Sequence, residues 1–74
     1  MSRLNLETEV SGSVWKIQVE VGSTVSSGDE LVIVESMKME IPVCSPSAGQ
    51  VVELLVKEGD SIVEGQAIIV IETP

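Results

Sequence analysis

An all-β fold, a sandwich or flattened barrel built from two copies of one unit, is predicted by three observations on the 74-residue chain. The apolar residues, 43% of the whole, are mostly valine, isoleucine and leucine, with Trp15 as the one aromatic. Such a composition favours strands over helices. Apolar runs are short and punctuated by turn residues at the spacing of about 8–12 residues that marks sandwiches and barrels. Finally, the sequence repeats itself. Gly12, Val14, Val19, Gly22, Gly28 and Glu35 recur as Gly49, Val51, Val56, Gly59, Gly65 and Glu72, without a gap, at the 37-residue offset that separates Gly12 from Gly49. Ile17 with Leu54, Val25 with Ile62, Leu31 with Ile68 and Val34 with Ile71 fall on the same offset. That offset is half the chain, so the whole is read as one domain, residues 1–74, made of two equivalent units.

Each unit opens with an alternating strand. Trp15, Ile17, Val19 and Val21 form one apolar face, and Lys16, Gln18 and Glu20 the other. On this reading Trp15 packs in the core. Gly22, an apolar step at Val25, and Gly28 follow, with glycine supplying the positive φ of tight turns. Leu31 to Val34 is apolar at consecutive positions and is expected to be buried. The second unit repeats the plan with Val52, Leu54 and Val56, then Ile62, then Ile68 to Ile71. Between the units, Met39 to Val43 reads as a strand whose Pro42, with Pro46 beyond it, places it at a sheet edge or ends it early, because proline donates no ladder hydrogen bond. No segment has a helical period.

Composition excludes several partners. A formal charge of −8 with only four basic residues, none clustered, gives no electrostatic footprint for nucleic acid or an anionic membrane. No apolar stretch is long enough to span a bilayer, and Met1-Ser2-Arg3-Leu4 lacks a secretory apolar segment. Cys44 is the only cysteine and there is no histidine, so neither an internal disulfide nor a Cys/His metal site is available. A cytoplasmic location is expected.

One stretch carries chemistry. Residues 35–40, Glu-Ser-Met-Lys-Met-Glu, place Lys38 between two methionines where the units join. Added to Lys38 the 37-residue offset runs off the chain and wraps onto Met1, so its turn should occupy the position that the termini fill in the other unit. The ordinary reading is a solvated turn lysine. Exposed, polarizable Met37 or Met39 beside it instead suits a surface that another protein grips, whereas methionines folded back over the sandwich edge would not.

These residues resemble the attachment motif of the biotinyl/lipoyl carrier domains. The similarity runs from about Val10 to Glu72 and includes Gly12, Gly22, Gly28, Gly49, Gly59 and Gly65. It implies a flattened barrel of two pseudo-twofold-related four-stranded halves, with an acylated lysine on the turn between them. Methionine on both sides of the lysine, as Met37 and Met39, with a glutamate three residues before it, as Glu35, is the pattern of biotin carriers. Lipoyl domains usually place Asp next to the lysine. The resemblance thus implies biotin on Lys38 and a carrier that catalyses nothing itself, with a lipoyl carrier for acyl or aminomethyl transfer, or a dual biotin/lipoyl acceptor, as the alternative. Implied partners are a biotin protein ligase, which recognises Glu35, Met37 and Met39, a biotin carboxylase and a carboxyltransferase. An unacylated binding module of the same fold is the third reading.

Overall fold

The computed structural model of the chain describes residues 2–74, all of it strand, turn or loop. The strands are β1 (Ser2–Glu7), β2 (Gly12–Ile17), β3 (Thr24–Val25), β4 (Glu30–Ser36), β5 (Met39–Cys44), β6 (Gly49–Leu54), β7 (Ser61–Ile62) and β8 (Ala67–Thr73). Each of the first four reappears 37 residues later with the same bounds. The repeat read from glycines and valines is therefore a repeat of structure, and it extends over β1 and β5, which the glycine pattern did not reach. No strand was expected at β1; the signal that could have found it is that Leu4 and Leu6 alternate and fall on Ile41 and Val43 at the same offset.

The two units do not fold side by side. One antiparallel sheet has the order β1-β8-β6-β3 and the other β5-β4-β2-β7, so each contains two strands from each copy. The exchange is fixed by backbone hydrogen bonds. Val14 N donates to Asp60 O at 2.8 Å and Gly59 N to Val14 O at 2.7 Å; in the other sheet Val51 N donates to Ser23 O at 2.9 Å and Gly22 N to Val51 O at 2.7 Å. Gly22 and Gly59 sit at φ of 97° and 93°, a left-handed conformation that costs glycine little. Of the two expectations for the strand containing Pro42, the edge position holds, and the strand runs on to Cys44.

The core lies between the sheets. Val14, Val25, Leu31, Val32 and Val34 meet their counterparts Val51, Ile62, Ile68, Ile69 and Ile71, all buried. Side chains of this size each contribute about 1.5–3 kcal/mol when taken out of water. The consecutive apolar runs are explained by bulges. Pairing with the neighbouring strand shifts register between Glu30 and Val32, and between Leu6 and Glu7 opposite Ile68, so that Leu31 with Val32 and Ile68 with Ile69 both turn inward.

Ile17 and Val19 pack against the core as expected, but a second pair of bulges overturns the expected facing of Trp15. Register shifts between Val14 and Lys16, and again between Val51 and Glu53, so Val14 and Val51 enter the core and the next residue is extruded. Trp15 is therefore 48% exposed rather than packed inside. Strict alternation groups Trp15 with Ile17, but the bulge puts one extra residue ahead of Ile17, so that Val14 takes the core position and Trp15 does not. The strand also stops at Ile17, leaving Val21 61% exposed in the following loop.

Gly12 and Gly49 are required for a different reason from the turn glycines. A Cβ at Gly12 would overlap the carbonyl oxygen of Glu35, and one at Gly49 would stand 2.5 Å from that of Glu72. Strands β2 and β6 thus run against the ends of β4 and β8 with no room for a methyl group. Gly49→Ala is expected to lower the unfolding free energy by about 1–3 kcal/mol, the usual cost of overpacking, read as a fall in the urea midpoint with an unchanged slope.

Candidate functional site

Lys38 lies in the two-residue loop that joins β4 to β5. The ladder runs Val34–Ile41, Glu35–Glu40 and Ser36–Met39, leaving Met37 and Lys38 to make the turn. Both are left-handed, with φ of 51° and 66°. Two consecutive positive φ values are those of a type I′ turn, whose twist matches the hairpin and which normally takes Asn-Gly. Here a methionine and a lysine occupy it. Non-glycine residues in such regions cost on the order of 1–3 kcal/mol each and persist where the surroundings enforce them.

The surroundings are specific. Ser36 Oγ donates to the carbonyl of Ser11 at 2.8 Å, and Ser11 Oγ in turn accepts from Glu64 N at 3.0 Å. The base of the hairpin is thereby tied to the β1–β2 connection and to the turn before β8. Together with the close approach of Gly12 to the Glu35 backbone, this fixes where the loop stands. Sequence reasoning had not identified Ser11 or Ser36 as supports, because their partners are 53 and 25 residues away.

Everything at the tip faces solvent. Met37 is 91% exposed, Met39 is 62% exposed, and Lys38 is exposed between them. The methionines do not fold back over the sandwich edge. Among the described residues the ion pair found is Arg3 with Glu72, which leaves the Lys38 amine without a carboxylate within 4 Å.

The repeat supplies an internal control for this site. The Ser36–Met39 pair of β4 and β5 corresponds to Thr73–Ser2 of β8 and β1, so the termini occupy the place that the loop fills in the other sheet. Met1, the repeat partner of Lys38, lies outside the described residues. One step along, the terminal sheet pairs Arg3 with Glu72, whose side chains meet at 3.4 Å. The lysine hairpin pairs Glu35 with Glu40 at the same position. Like charges directly opposite are destabilising. The fold thus accepts an unfavourable pair beside Lys38 where its own other half has a favourable one.

A fixed, solvent-facing amine with a bare turn around it suits a carrier, which presents a group to other proteins, and not an enzyme that encloses a substrate. The cleft of about 430 Å³ between β1 and β5 is lined by Leu6, Val10, Ile41 and Val43 among others, and not by Met37, Lys38 or Met39. Comparison with known proteins defines the family. Residues 6–71 match the family model described as "Biotin-requiring enzyme", and the chain belongs to this family of biotin/lipoyl carrier domains. It is 38% identical over 66 residues to a biotin/lipoyl attachment protein of Bacillus subtilis (strain 168), covering 89% of this chain and 90% of that one. It is 43% identical over 67 residues to a biotinylated-protein homologue of Mycobacterium leprae (strain TN), covering 90% of this chain and 94% of the relative. Its fold matches a crystal structure of Kluyveromyces lactis urea carboxylase with a TM-score of 0.91 at 35% identity, over 97% of this chain but 6% of the carboxylase. Homologous domains therefore occur both as small proteins and as small parts of large carboxylases.

Two stability measurements probe the site. Glu40→Arg, which copies the Arg3–Glu72 pair, is expected to stabilise the domain by about 0.2–1 kcal/mol, seen as a raised thermal midpoint that falls back with added salt. Lys38→Gly is expected to stabilise it by on the order of 1 kcal/mol by relieving the left-handed conformation. An unchanged or lowered midpoint for Lys38→Gly would mean that the turn is unstrained.

Proposed function

We propose that Lys38 is the residue to which biotin is joined as an amide, and that the chain is a biotin carboxyl carrier serving a biotin carboxylase and a carboxyltransferase in turn. The observation that carries this reading is the double left-handed turn that holds an unpaired, fully presented lysine between two exposed methionines. Membership of the biotin-requiring family supports the choice of cofactor.

Attachment is a transfer from an acyl-adenylate held by a biotin protein ligase. The Lys38 Nζ forms a bond to the acyl carbon, the acyl–phosphate C–O bond breaks, AMP leaves, and the amine gives up one proton. The ligase must supply the base, since the chain has no histidine. The domain's own contribution is position. A loop fixed by Ser36 and Gly12 directs the amine to one place, and good placement is worth several kcal/mol of a barrier of this kind. Glu35 and Glu40, which repel each other, are available to basic side chains of the ligase, whose binding would relieve that repulsion. Met37 and Met39 offer adaptable apolar contacts on either side.

When bound, biotin supplies the group that takes up and releases a carboxyl. The protein keeps that group tethered, so that each enzyme meets it at an effective concentration in the mM range for a short flexible link. No residue of the domain needs to touch the reacting atoms. The acceptor of the carboxyl is set by the carboxyltransferase.

The test is the intact mass of the chain co-expressed with active biotin and lipoate ligases and both acids. One biotinyl increment is expected, absent from Lys38→Ala. It should also be absent from the double variant Met37→Lys, Lys38→Met, which moves the amine by one residue; full labelling of that variant would overturn the positional role given to the turn. A lipoyl increment would assign the chain to acyl transfer instead. Glu35→Lys is expected to slow labelling severalfold without unfolding the domain, the midpoint rising slightly as a Lys–Glu40 pair replaces the repulsion, and unchanged kinetics would remove Glu35 from ligase recognition.

A further inference from the structure

The bulge that expels Trp15 builds a feature that nothing at the tip of the hairpin explains. Lys16 stands opposite Ile33 of β4 with Trp15, the extra residue of the bulge, next to it, and Ile33 stands opposite Pro42 of β5. Ile33 is partly exposed between the fully buried Val32 and Val34, so it points away from the core, and Pro42 is exposed beside it. Trp15, Ile33 and Pro42 therefore make an apolar row across three neighbouring strands on the outer face of the sheet that bears Lys38. The next outward row on the same strands is Ser13, Glu35 and Glu40, and beyond it is the turn.

The repeat again provides the comparison. In the other sheet the equivalent positions are Val52, Val70 and Asn5. There the bulge residue is half-buried, Val70 is only 7% exposed, and Asn5 is polar. The exposed apolar row with an indole is thus confined to the sheet that carries the lysine. Core packing does not require it, since the same bulge accommodates valine.

Two outward rows are separated by two residues, or about 7 Å along a strand. The tryptophan row therefore lies roughly 10 Å from the base of the turn. A specific interface covers about 800 Å² on each partner, a patch about 16 Å in radius. A protein that closes over the Lys38 tip from this side must rest on the row. Tryptophan in such a place is the residue type most often found to dominate binding.

We propose that this face, centred on Trp15, is the surface by which the loaded carrier docks on a biotin carboxylase. The choice of occupant follows from charge. The chain carries −8, and Glu30, Glu35 and Glu40 all lie on strands of this face. A biotin carboxylase must draw two anions, ATP and bicarbonate, into one cleft, so the mouth of that cleft is positively charged. Trp15 enters an apolar pocket on that mouth while the glutamates meet its basic rim. This docking face rests on the reading of Lys38 as the biotin-bearing residue.

The experiment uses the biotinylated chain as the substrate of a purified biotin carboxylase with ATP and bicarbonate, following ADP release. Trp15→Ser is expected to raise KM for the carrier at least tenfold and to change kcat less than twofold, while its labelling by the ligase is unaffected. Val52→Ser, at the equivalent bulge, should leave KM within twofold. Should Trp15→Ser fail to fold, the unmutated chain labelled with 5-fluorotryptophan gives one ¹⁹F resonance, which is expected to shift on adding the carboxylase. Normal labelling with unchanged KM, or an unmoved resonance at saturating carboxylase, would overturn the docking face alone. A resonance that shifts with the carrier's own concentration would assign the face to a second copy and overturn the proposal. Failure of the unmutated chain to be labelled at Lys38 would instead overturn the reading beneath it.

Discussion

Strand exchange between the two copies is the constraint on which the rest of the structure depends. Strands β3 and β7 are two residues long, and neither has a partner within its own unit. Their backbone groups are satisfied by β6 and β2 of the opposite copy, through the paired bonds of Val51 with Gly22 and Ser23 and of Val14 with Gly59 and Asp60. A unit alone would leave these groups unpaired and its apolar face open, and a few strands of this length have little stability by themselves. Interleaving supplies one core for both units from a chain that is small for a folded domain. It also brings β2 against the end of β4, which is why Gly12 cannot carry a side chain and why the hairpin above it stands where it does.

Within so regular a frame, departures from symmetry are informative. The places where the halves differ most in physical character cluster on one sheet. A strained turn occupies the position of the chain ends, a repulsive Glu35–Glu40 pair replaces the Arg3–Glu72 ion pair, and an exposed tryptophan replaces a half-buried valine. Each is locally less favourable than its counterpart. Stability alone does not account for this, because the other half of the same molecule displays the better alternative. A surface that is completed by other proteins does account for it.

Much of the fold was legible because it rests on local chemistry repeated twice. The 37-residue offset, the turn glycines and the exposure of at least one of Met37 and Met39 beside Lys38 were readable from residue type and spacing, while Pro42 left an edge position and an early strand end both open. Trp15 departs from the expected face because a bulge adds one residue to the strand, and with a period of two a single insertion puts the residues on its two sides out of phase, so that Val14 and Ile17 both face the core and Trp15 between them does not. The bulge is set by pairing with β4, a partner some twenty residues away, and no residue within β2 announces it.

The sequence by itself determined that the chain is two copies of a β unit and that Lys38 lies between them, flanked by two methionines and two glutamates. Such properties follow from backbone preferences and side-chain chemistry, which each residue carries with it. Tertiary structure alone decided that the copies exchange strands, that Glu35 faces Glu40, that Ser11 and Ser36 tie down the hairpin, and that Trp15 looks outward. These are relations between residues distant in the chain, and they exist only once hydrogen-bonded register has been set across the sheets.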